Sequence, residues 1–107
     1  MSYDILYTAK ARDDLSDIYE YIAFHLSEPQ TAAGIYERIL SSVRSLEDFP
    51  LRNALTDGEP WRSKGLRKIP VKNYLVFYTV DEEKKAVHII RIMYGARDID
   101  KQLSETE

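Results

Sequence analysis

Apolar residues along the chain recur first with the spacing of a strand, then with that of helices, and finally with that of strands again. Residues 3–8 are rich in aromatic and branched side chains and predict a first strand. Over residues 11–26 and again over 32–46, apolar residues return every three or four positions, which predicts two amphipathic helices. Thr8 stands where its hydroxyl can cap the first of them. Two consecutive helices of this kind predict an antiparallel hairpin.

Polar residues and prolines mark the limits of the second helix. Ser27 and Gln30 stand three residues apart, as in a capping box, and Pro29 is tolerated only in a first helical turn. The helix is predicted to end before Phe49, because Pro50 disfavours helical geometry in the residue that precedes it. The second helix is therefore expected to begin close to Pro29.

The second half of the chain has a loop composition and then strand patterns. Residues 50–64 are rich in Pro, Gly, Asn, Asp and Ser, which is typical of a loop. The runs 65–71, 74–80 and 86–94 are rich in β-forming residues and are separated by short polar segments, which predicts a meander of hairpins. The polar tail 97–107 is either a short helix or frayed.

The predicted order of elements is β-α-α-β-β-β. Helices gathered beside an antiparallel sheet define an α+β fold, and the simplest burial scheme packs the helix hairpin on one face of the sheet. The other face is expected to stay open. The sequence has no internal repeat, low-complexity segment or sign of a second domain, so residues 1–107 are predicted to form one domain.

Composition excludes several classes of protein and of site. The chain is 44% apolar and 31% charged over 107 residues, which is the balance of a soluble globular protein. No apolar run approaches the roughly 18 residues of a membrane span, and the start lacks the features of a signal peptide, so we expect a cytoplasmic protein. The absence of cysteine excludes disulfides and thiolate zinc sites. His25 and His88 are isolated, so neither a metal site nor a cofactor is expected.

Charge is unevenly distributed along the chain. The net charge is −3, yet residues 49–72 carry six Lys or Arg against two Asp or Glu. The acidic total argues against coating of nucleic acid, while the basic stretch permits one anionic partner. Lysines that protect a strand edge would produce a similar pattern without any ligand. The candidates for contact with a partner are Arg62, Lys64, Arg67, Lys68 and Lys72.

Arg91 and Trp61 each allow two interpretations. Arg91 shares a strand face with Ile89 and Met93, where an unpaired buried charge would be costly. Either that face is open and Arg91 contacts a partner, or Arg91 is paired with a carboxylate. Trp61 stands in a polar loop, either as a core tether or as an exposed anchor. Both questions stay open at this stage.

A diffuse set of short motifs connects the sequence to a known family. The matching residues, in chain order, are Tyr7-Thr8-Ala9, Asp14-Leu15, Ile18, Tyr21-Ile22, Leu46, Phe49-Pro50, Gly65-Leu66-Arg67-Lys68-Ile69, Val71, Asn73-Tyr74, Val76-Phe77-Tyr78, Ile89, Arg91-Ile92 and Gly95-Ala96-Arg97-Asp98. In this order and along nearly the whole chain, they resemble the toxin subunits of the RelE/ParE toxin-antitoxin superfamily. The resemblance implies a toxin of the plasmid-stabilisation type.

The superfamily includes two main activities, and the sequence departs from one of them. Members resembling RelE cut messenger RNA on the ribosome, and members resembling ParE bind and poison DNA gyrase. In the ribonuclease branch an arginine commonly follows the tyrosine of the third strand, but here Leu75 follows Tyr74. A tyrosine commonly lies a few residues past the Gly-x-Arg segment, but that region here includes Leu103. Tyr94, with Arg91 and Arg97, is the remaining candidate for catalysis.

The resemblance therefore implies a growth inhibitor closer to ParE, which binds DNA gyrase and is neutralised by a cognate antitoxin in a hetero-oligomer. Contact with operator DNA is expected only through the antitoxin. One alternative is a ribosome-dependent endoribonuclease. That protein would be an enzyme, whereas an inhibitor that acts by binding gyrase would not. The other is a degenerate toxin that only binds its antitoxin and regulates the operon.

Overall fold

The order of elements in the computed structural model is the predicted one. The structure describes residues 2–95 and 99–105, except for the side chain of Asp100. Its elements are β1 (Asp4–Tyr7), α1 (Ala9–Glu20), a π-helical turn (Tyr21–His25), α2 (Pro29–Arg44), a 3₁₀ turn (Ser45–Glu47), β2 (Arg67–Val71), β3 (Tyr74–Asp81), β4 (Ala86–Tyr94) and α3 (Ile99–Ser104). The α+β fold class is confirmed.

The N-terminal cap predicted for α1 is present in the structure, whereas the one predicted for α2 is not. Thr8 caps α1, as its hydroxyl accepts a hydrogen bond of 3.1 Å from the amide of Ala11. The capping box predicted at Ser27 is wrong. Ser27 has a φ of 53° and therefore lies in the turn, so that Glu28 becomes the residue before the helix. Pro29 opens α2 as predicted, because its missing amide proton costs nothing in a first turn.

The four strands form one sheet in the order β1-β4-β3-β2. The strand pairs β2-β3 and β3-β4 are antiparallel, as the predicted meander requires. The pair β1-β4 is parallel, so the sheet is mixed rather than wholly antiparallel. Its register ends at Tyr7, which pairs with Ile89, while β4 continues to Tyr94. The later half of β4 therefore has no β1 residue beside it.

The helix hairpin covers one face of the sheet, as predicted. The core on this side combines apolar residues of α1, α2 and all four strands: Ala11, Leu15, Ile39, Val43, Leu46, Ile69, Val71, Val76, Tyr78, Val87, Ile89 and Ile92, with Ile5 and Tyr7 packed against them. Side chains alternate along the strands, except that a register shift between Phe77 and Tyr78 of β3 interrupts the alternation in β4. Ile89 and Ile92 therefore both lie on this face while Met93 lies on the other, so the predicted shared face of Ile89 and Met93 is wrong.

The second face of the sheet, expected to stay open, is partly covered. Trp61 and Leu66 of the loop and Leu103 of α3 pack there on Phe77 and Met93. Trp61 is only 9% exposed, so it is a core tether rather than an exposed anchor. The loop and the C-terminal helix thus form a thin third layer.

Candidate binding cleft

A cleft of about 720 Å³ lies between the helix hairpin and the far end of the sheet. We call it the hairpin cleft. Residues of the hairpin form one wall, and the start of β3 and the end of β4, with α3, form the other. Its lining includes Asp14, Asp17, Tyr21, Leu26, Tyr74, Arg91, Tyr94 and Gln102. The volume is within the range of about 300–1,000 Å³ that is usual for ligand pockets.

A buried ion pair lies at the base of the hairpin cleft. Asp14 accepts two hydrogen bonds from the Arg91 guanidinium, with Nε to Oδ2 at 2.7 Å and Nη2 to Oδ1 at 2.9 Å. The two side chains are only 10% and 13% exposed. Arg91 Nη1 also donates to the carbonyl of Gln102 at 3.3 Å. Of the two interpretations of Arg91, the structure therefore shows the carboxylate pair, and hydrogen bonding to Asp14 raises the pKa of Arg91.

Beyond the end of β1, Asp14 accepts a backbone hydrogen bond from β4 that a neighbouring strand would otherwise accept. Where β1 ends, the amide of Thr8 donates to the carbonyl of Ile89 at 3.1 Å and its hydroxyl to that of Ile90 at 3.0 Å. One step further along, Asp14 Oδ2 accepts the amide of Ile92 at 2.9 Å. Buried backbone groups need such partners, and α1 supplies them here. This arrangement fixes both walls of the hairpin cleft relative to each other.

Sequence reasoning named Asp14 only as part of the family motif. A signal for its burial is present in the sequence. Asp14 follows Ala11 by three residues and precedes Ile18 by four, so it lies on the apolar side of the helix. Burial of a carboxylate on that side requires a cationic partner, and Arg91 is the partner that the fold supplies.

Tyr94 lines the outer part of the hairpin cleft. It pairs across the sheet with Tyr74, and the two rings meet edge to face with centroids 5.7 Å apart. Tyr94 remains 43% exposed, so its ring is accessible from solvent. Arg91 lines the same cleft, whereas Arg97, the third member of the predicted catalytic set, lies outside the described residues.

The structure gives Arg67 a role in holding the loop. Its Nη1 donates to the carbonyl of Asn53 and, at 3.4 Å, to that of Leu51. Arg67 is half-buried at the start of β2. The same loop is held by Tyr78, whose hydroxyl donates to the carbonyl of Pro50 at 2.8 Å. The predicted role of Arg67 in binding a partner stays a prediction.

The other basic candidates are spread over the surface. Lys68 is exposed and points to the face of β2 opposite to that of Arg67. Lys72 lies in the β2-β3 turn with a φ of 56°. Arg62 and Lys64 are exposed in the loop over the second face, and Lys64 Nζ lies 5.4 Å from the centroid of the Trp61 ring. The fold therefore does not bring the basic stretch into the hairpin cleft.

Neither a metal site nor a membrane-spanning helix is found in the described part of the chain. Over residues 2–95 and 99–105, no three His, Asp or Glu side chains are grouped so that they could hold a metal ion. Over the same ranges, no helix has the length and apolar character needed to cross a membrane.

Comparison with known proteins assigns the chain to a family. The model of the ParE toxin of the type II toxin-antitoxin system parDE matches residues 5–99, from β1 to the start of α3. The chain belongs to the ParE toxin family. It is thus a type II toxin-antitoxin toxin of the RelE/ParE superfamily, as its motifs indicated. No curated protein matches this ParE-family chain over its sequence.

Solved structures from both branches share the fold. The chromosomal ParDE toxin-antitoxin system from P. aeruginosa is 24% identical with a TM-score of 0.70, covering 87% of this chain and 96% of that one. The RelBE2 toxin-antitoxin complex from Mycobacterium tuberculosis is 23% identical with a TM-score of 0.62, covering 88% and 99%. A mutant of E. coli RelE in the free state is 16% identical with a TM-score of 0.68, covering 99% and 95%. At these identities the likeness concerns the fold alone.

Proposed function

We propose that this ParE-family toxin inhibits growth by binding DNA gyrase rather than by turnover, and that a cognate antitoxin neutralises it. The pair would act in plasmid stabilisation within the cytoplasm. The observation that carries the proposal is the state of Arg91. Its guanidinium donates to Asp14 and to the carbonyl of Gln102, so it is already engaged in holding the fold.

Ribonuclease chemistry needs more than the hairpin cleft offers. Cleavage by the ribose 2′-hydroxyl requires a base, an acid and cations that stabilise the phosphorane charge. The ribonuclease branch would have such groups near Leu75 and Leu103. Here Leu75 packs with the second-face cluster, and Leu103 is 2% exposed within it. Tyr94 would need a nearby cation to act as an acid, and Arg91 is committed to Asp14.

An antitoxin partner is supported by family membership. The proteins of similar fold include a ParDE system and a RelBE2 toxin-antitoxin complex. A disordered antitoxin segment that folds on the toxin would bury a long surface, which gives tight binding despite the ordering cost. Contact with operator DNA through the antitoxin alone agrees with the net charge of −3.

The decisive experiment expresses the toxin and measures two outcomes in parallel. Purified toxin is assayed for inhibition of gyrase supercoiling, and messages from expressing cells are mapped by primer extension. We expect inhibited supercoiling beside intact messages. Codon-positioned cuts that disappear in Tyr94→Phe would contradict the proposal and make the protein a ribosome-dependent ribonuclease. Intact messages and unaffected supercoiling, with antitoxin binding retained, would identify a degenerate toxin.

A further inference from the structure

A β-turn after the 3₁₀ turn exposes two large apolar side chains. Residues 49–52 form this β-turn, which is closed by a hydrogen bond of 3.4 Å from the amide of Arg52 to the carbonyl of Phe49. Pro50 stands at its second position, where a fixed φ favours such turns. Phe49 is 66% and Leu51 43% exposed, so both apolar side chains are accessible from solvent. We call these four residues the Phe49 turn.

Polar side chains of the strands hold the Phe49 turn in one conformation. The Tyr78 hydroxyl donates to the carbonyl of Pro50 at 2.8 Å, and Pro50 itself is buried. Arg67 Nη1 donates to the carbonyl of Leu51 at 3.4 Å. The backbone of the turn is thus tied to the sheet, while its two apolar side chains remain outside. A turn fixed in this way loses little conformational entropy when a partner binds it.

The shape of the Phe49 turn restricts the kind of partner that fits it. Phe49 and Leu51 project from the surface, and neither lines the hairpin cleft. An aromatic side chain displayed in this way contributes to binding when it fills a pocket of the partner. A pocket belongs to a folded surface, whereas a segment that folds only on binding does not bring one. The partner that suits the turn is therefore a folded protein.

Area and charge restrict the partner further. An aromatic side chain buries about 150–250 Å², whereas a stable pair of proteins buries about 800 Å² on each partner. The turn alone is therefore too small to hold a second copy of this chain. Arg52 is exposed, and its hydrogen bond to the Ser45 hydroxyl fixes it beside the turn. Because residues 49–72 carry six Lys or Arg against two Asp or Glu, the complementary surface is acidic around an apolar pocket.

We infer that the Phe49 turn is the surface with which the toxin contacts DNA gyrase, with Phe49 in an apolar pocket and Arg52 against a carboxylate at its rim. The inference rests on the proposed function and adds to it the location of the contact. Thr31 and Ile35, in the first half of α2, line the hairpin cleft, whereas the turn follows the end of that helix. The helix has 16 residues and spans about 24 Å, so the contact lies far from the cleft.

The test measures binding of purified toxin variants to purified gyrase, inhibition of supercoiling, and binding of the antitoxin. Phe49→Ala is compared with Phe24→Ala, where the phenylalanine is 73% exposed at the tip of the helix hairpin. Leu51→Ala is compared with Leu6→Ala, where the leucine is 49% exposed on β1. All four side chains are exposed, so thermal unfolding should show that every variant is folded.

We expect Phe49→Ala to weaken gyrase binding about tenfold or more, because it leaves the pocket of the partner empty. Leu51→Ala should weaken gyrase binding about three- to tenfold through lost apolar contact. Correspondingly more of each variant should be needed to inhibit supercoiling. Both control variants should bind gyrase within about twofold of the wild type, and all four variants should bind the antitoxin within the same range.

The charge of the partner is tested with Arg52→Glu. Its control is Arg38→Glu, which reverses an exposed arginine on α2. We expect Arg52→Glu to weaken gyrase binding about tenfold at low salt and less at high salt, because it sets two carboxylates against each other. The control should bind within about twofold of the wild type at both salt concentrations. An equal loss for the two arginines would contradict a specific contact at Arg52.

Four results would overturn the inference, and they differ in what they leave standing. If the wild type neither binds gyrase nor inhibits supercoiling, the proposed function fails and the inference with it. If the wild type inhibits gyrase and the turn variants inhibit as their controls do, the function stands and the turn is not the contact. If the turn variants lose only antitoxin binding, the antitoxin occupies the turn. If they only dissociate a wild-type dimer in sedimentation, a second copy occupies it.

Discussion

At the scale of single residues, Asp14 connects the first helix to the last strand. One carboxylate partners both the Arg91 guanidinium and the Ile92 amide, and so joins a helix to a strand 77 residues away in sequence. Its oxygens accept three donors, which is close to their capacity. The position therefore tolerates no group that is itself a donor.

Replacement of Asp14 by Asn should lower the free energy of unfolding by about 3 kcal/mol, because a buried guanidinium then loses its counter-charge. The amide nitrogen of Asn would also face a donor. Urea unfolding at neutral pH measures the change. The matched control is Asp13→Asn, an exposed neighbour that should change stability by less than about 0.5 kcal/mol. Equal effects of the two changes would contradict the role given to Asp14.

Tyr78 gives the fold a dependence on alkaline pH. Its hydroxyl donates to the carbonyl of Pro50 and accepts from Asn53 Nδ2 at 3.1 Å. Burial raises the pKa of Tyr78 in the folded state. The folded protein thus holds this proton more tightly than the unfolded chain does. Its contribution to stability is complete below a pH of about 10 and is lost as the pH rises through the folded pKa.

Tyr78→Phe should cost about 1–2 kcal/mol at pH 7, since it leaves the carbonyl of Pro50 and the amide of Asn53 without this partner. Above a pH of about 10 its stability should fall less steeply with pH than that of the wild type. A residual slope is expected because burial also raises the pKa of Tyr7. Parallel slopes in denaturant unfolding from pH 8 to 11 would show that Tyr78 does not titrate as described.

At the scale of elements, the periodicity of apolar residues predicted each helix and strand to within a few residues. It could not predict which strands pair with each other in the sheet. The apolar spacing of 11–26 and 32–46 determines which side of each helix is buried, so the hairpin could be placed on the sheet. The parallel pairing of β1 with β4 depends on where a 78-residue connection ends, which no local pattern encodes. The cover on the second face depends on Trp61 and Leu103, single apolar residues in polar segments.

The edge strand β2 separates two basic residues that sequence reasoning treated together. We still expect the loss of both Arg67 and Lys68 to slow association with an anionic partner and to weaken its salt dependence. The structure predicts that the effect on association resides in Lys68→Gln, with stability unchanged. Arg67→Gln should instead lower stability by about 1–3 kcal/mol, because two loop carbonyls lose a charged donor.

The comparison requires association rates at low and high salt for each single variant, together with urea unfolding of both. Lys85→Gln is a suitable control, because Lys85 is exposed in the β3-β4 turn away from the basic stretch. If the association rates of Lys68→Gln are unchanged at both salt concentrations, the basic stretch serves only to keep the protein soluble.

At the scale of the whole molecule, the antitoxin should act as a stabilising ligand. Co-expression with the neighbouring small gene product should give a complex that purifies as one species. With free antitoxin a thousandfold above its Kd, the folded toxin should gain about 4 kcal/mol, which appears as a rise in Tm that depends on antitoxin concentration. Separate elution of the two proteins would contradict the partnership.

The candidate site could be predicted only in part, because it is assembled across the chain. Tyr94 and Arg91 were named from the sequence, and both line the hairpin cleft. The residues of the basic stretch were grouped because they are close in sequence. Side chains alternate between the two faces of β2 and Lys72 lies in a turn, so the structure places these residues apart. Asp17 and Leu26 line the same cleft only because the helix hairpin lies opposite the start of β3 and the end of β4.

The parallel pairing of the first strand with the last has a consequence for synthesis on the ribosome. Thr8 forms a hydrogen bond with Ile90, 82 positions later, and Asp14 pairs with Arg91, 77 positions later. Chains fold from their N-terminal end as they emerge, and contacts of such long range form late. The helix hairpin is therefore made early but can be joined to the sheet only after β4 has left the ribosome.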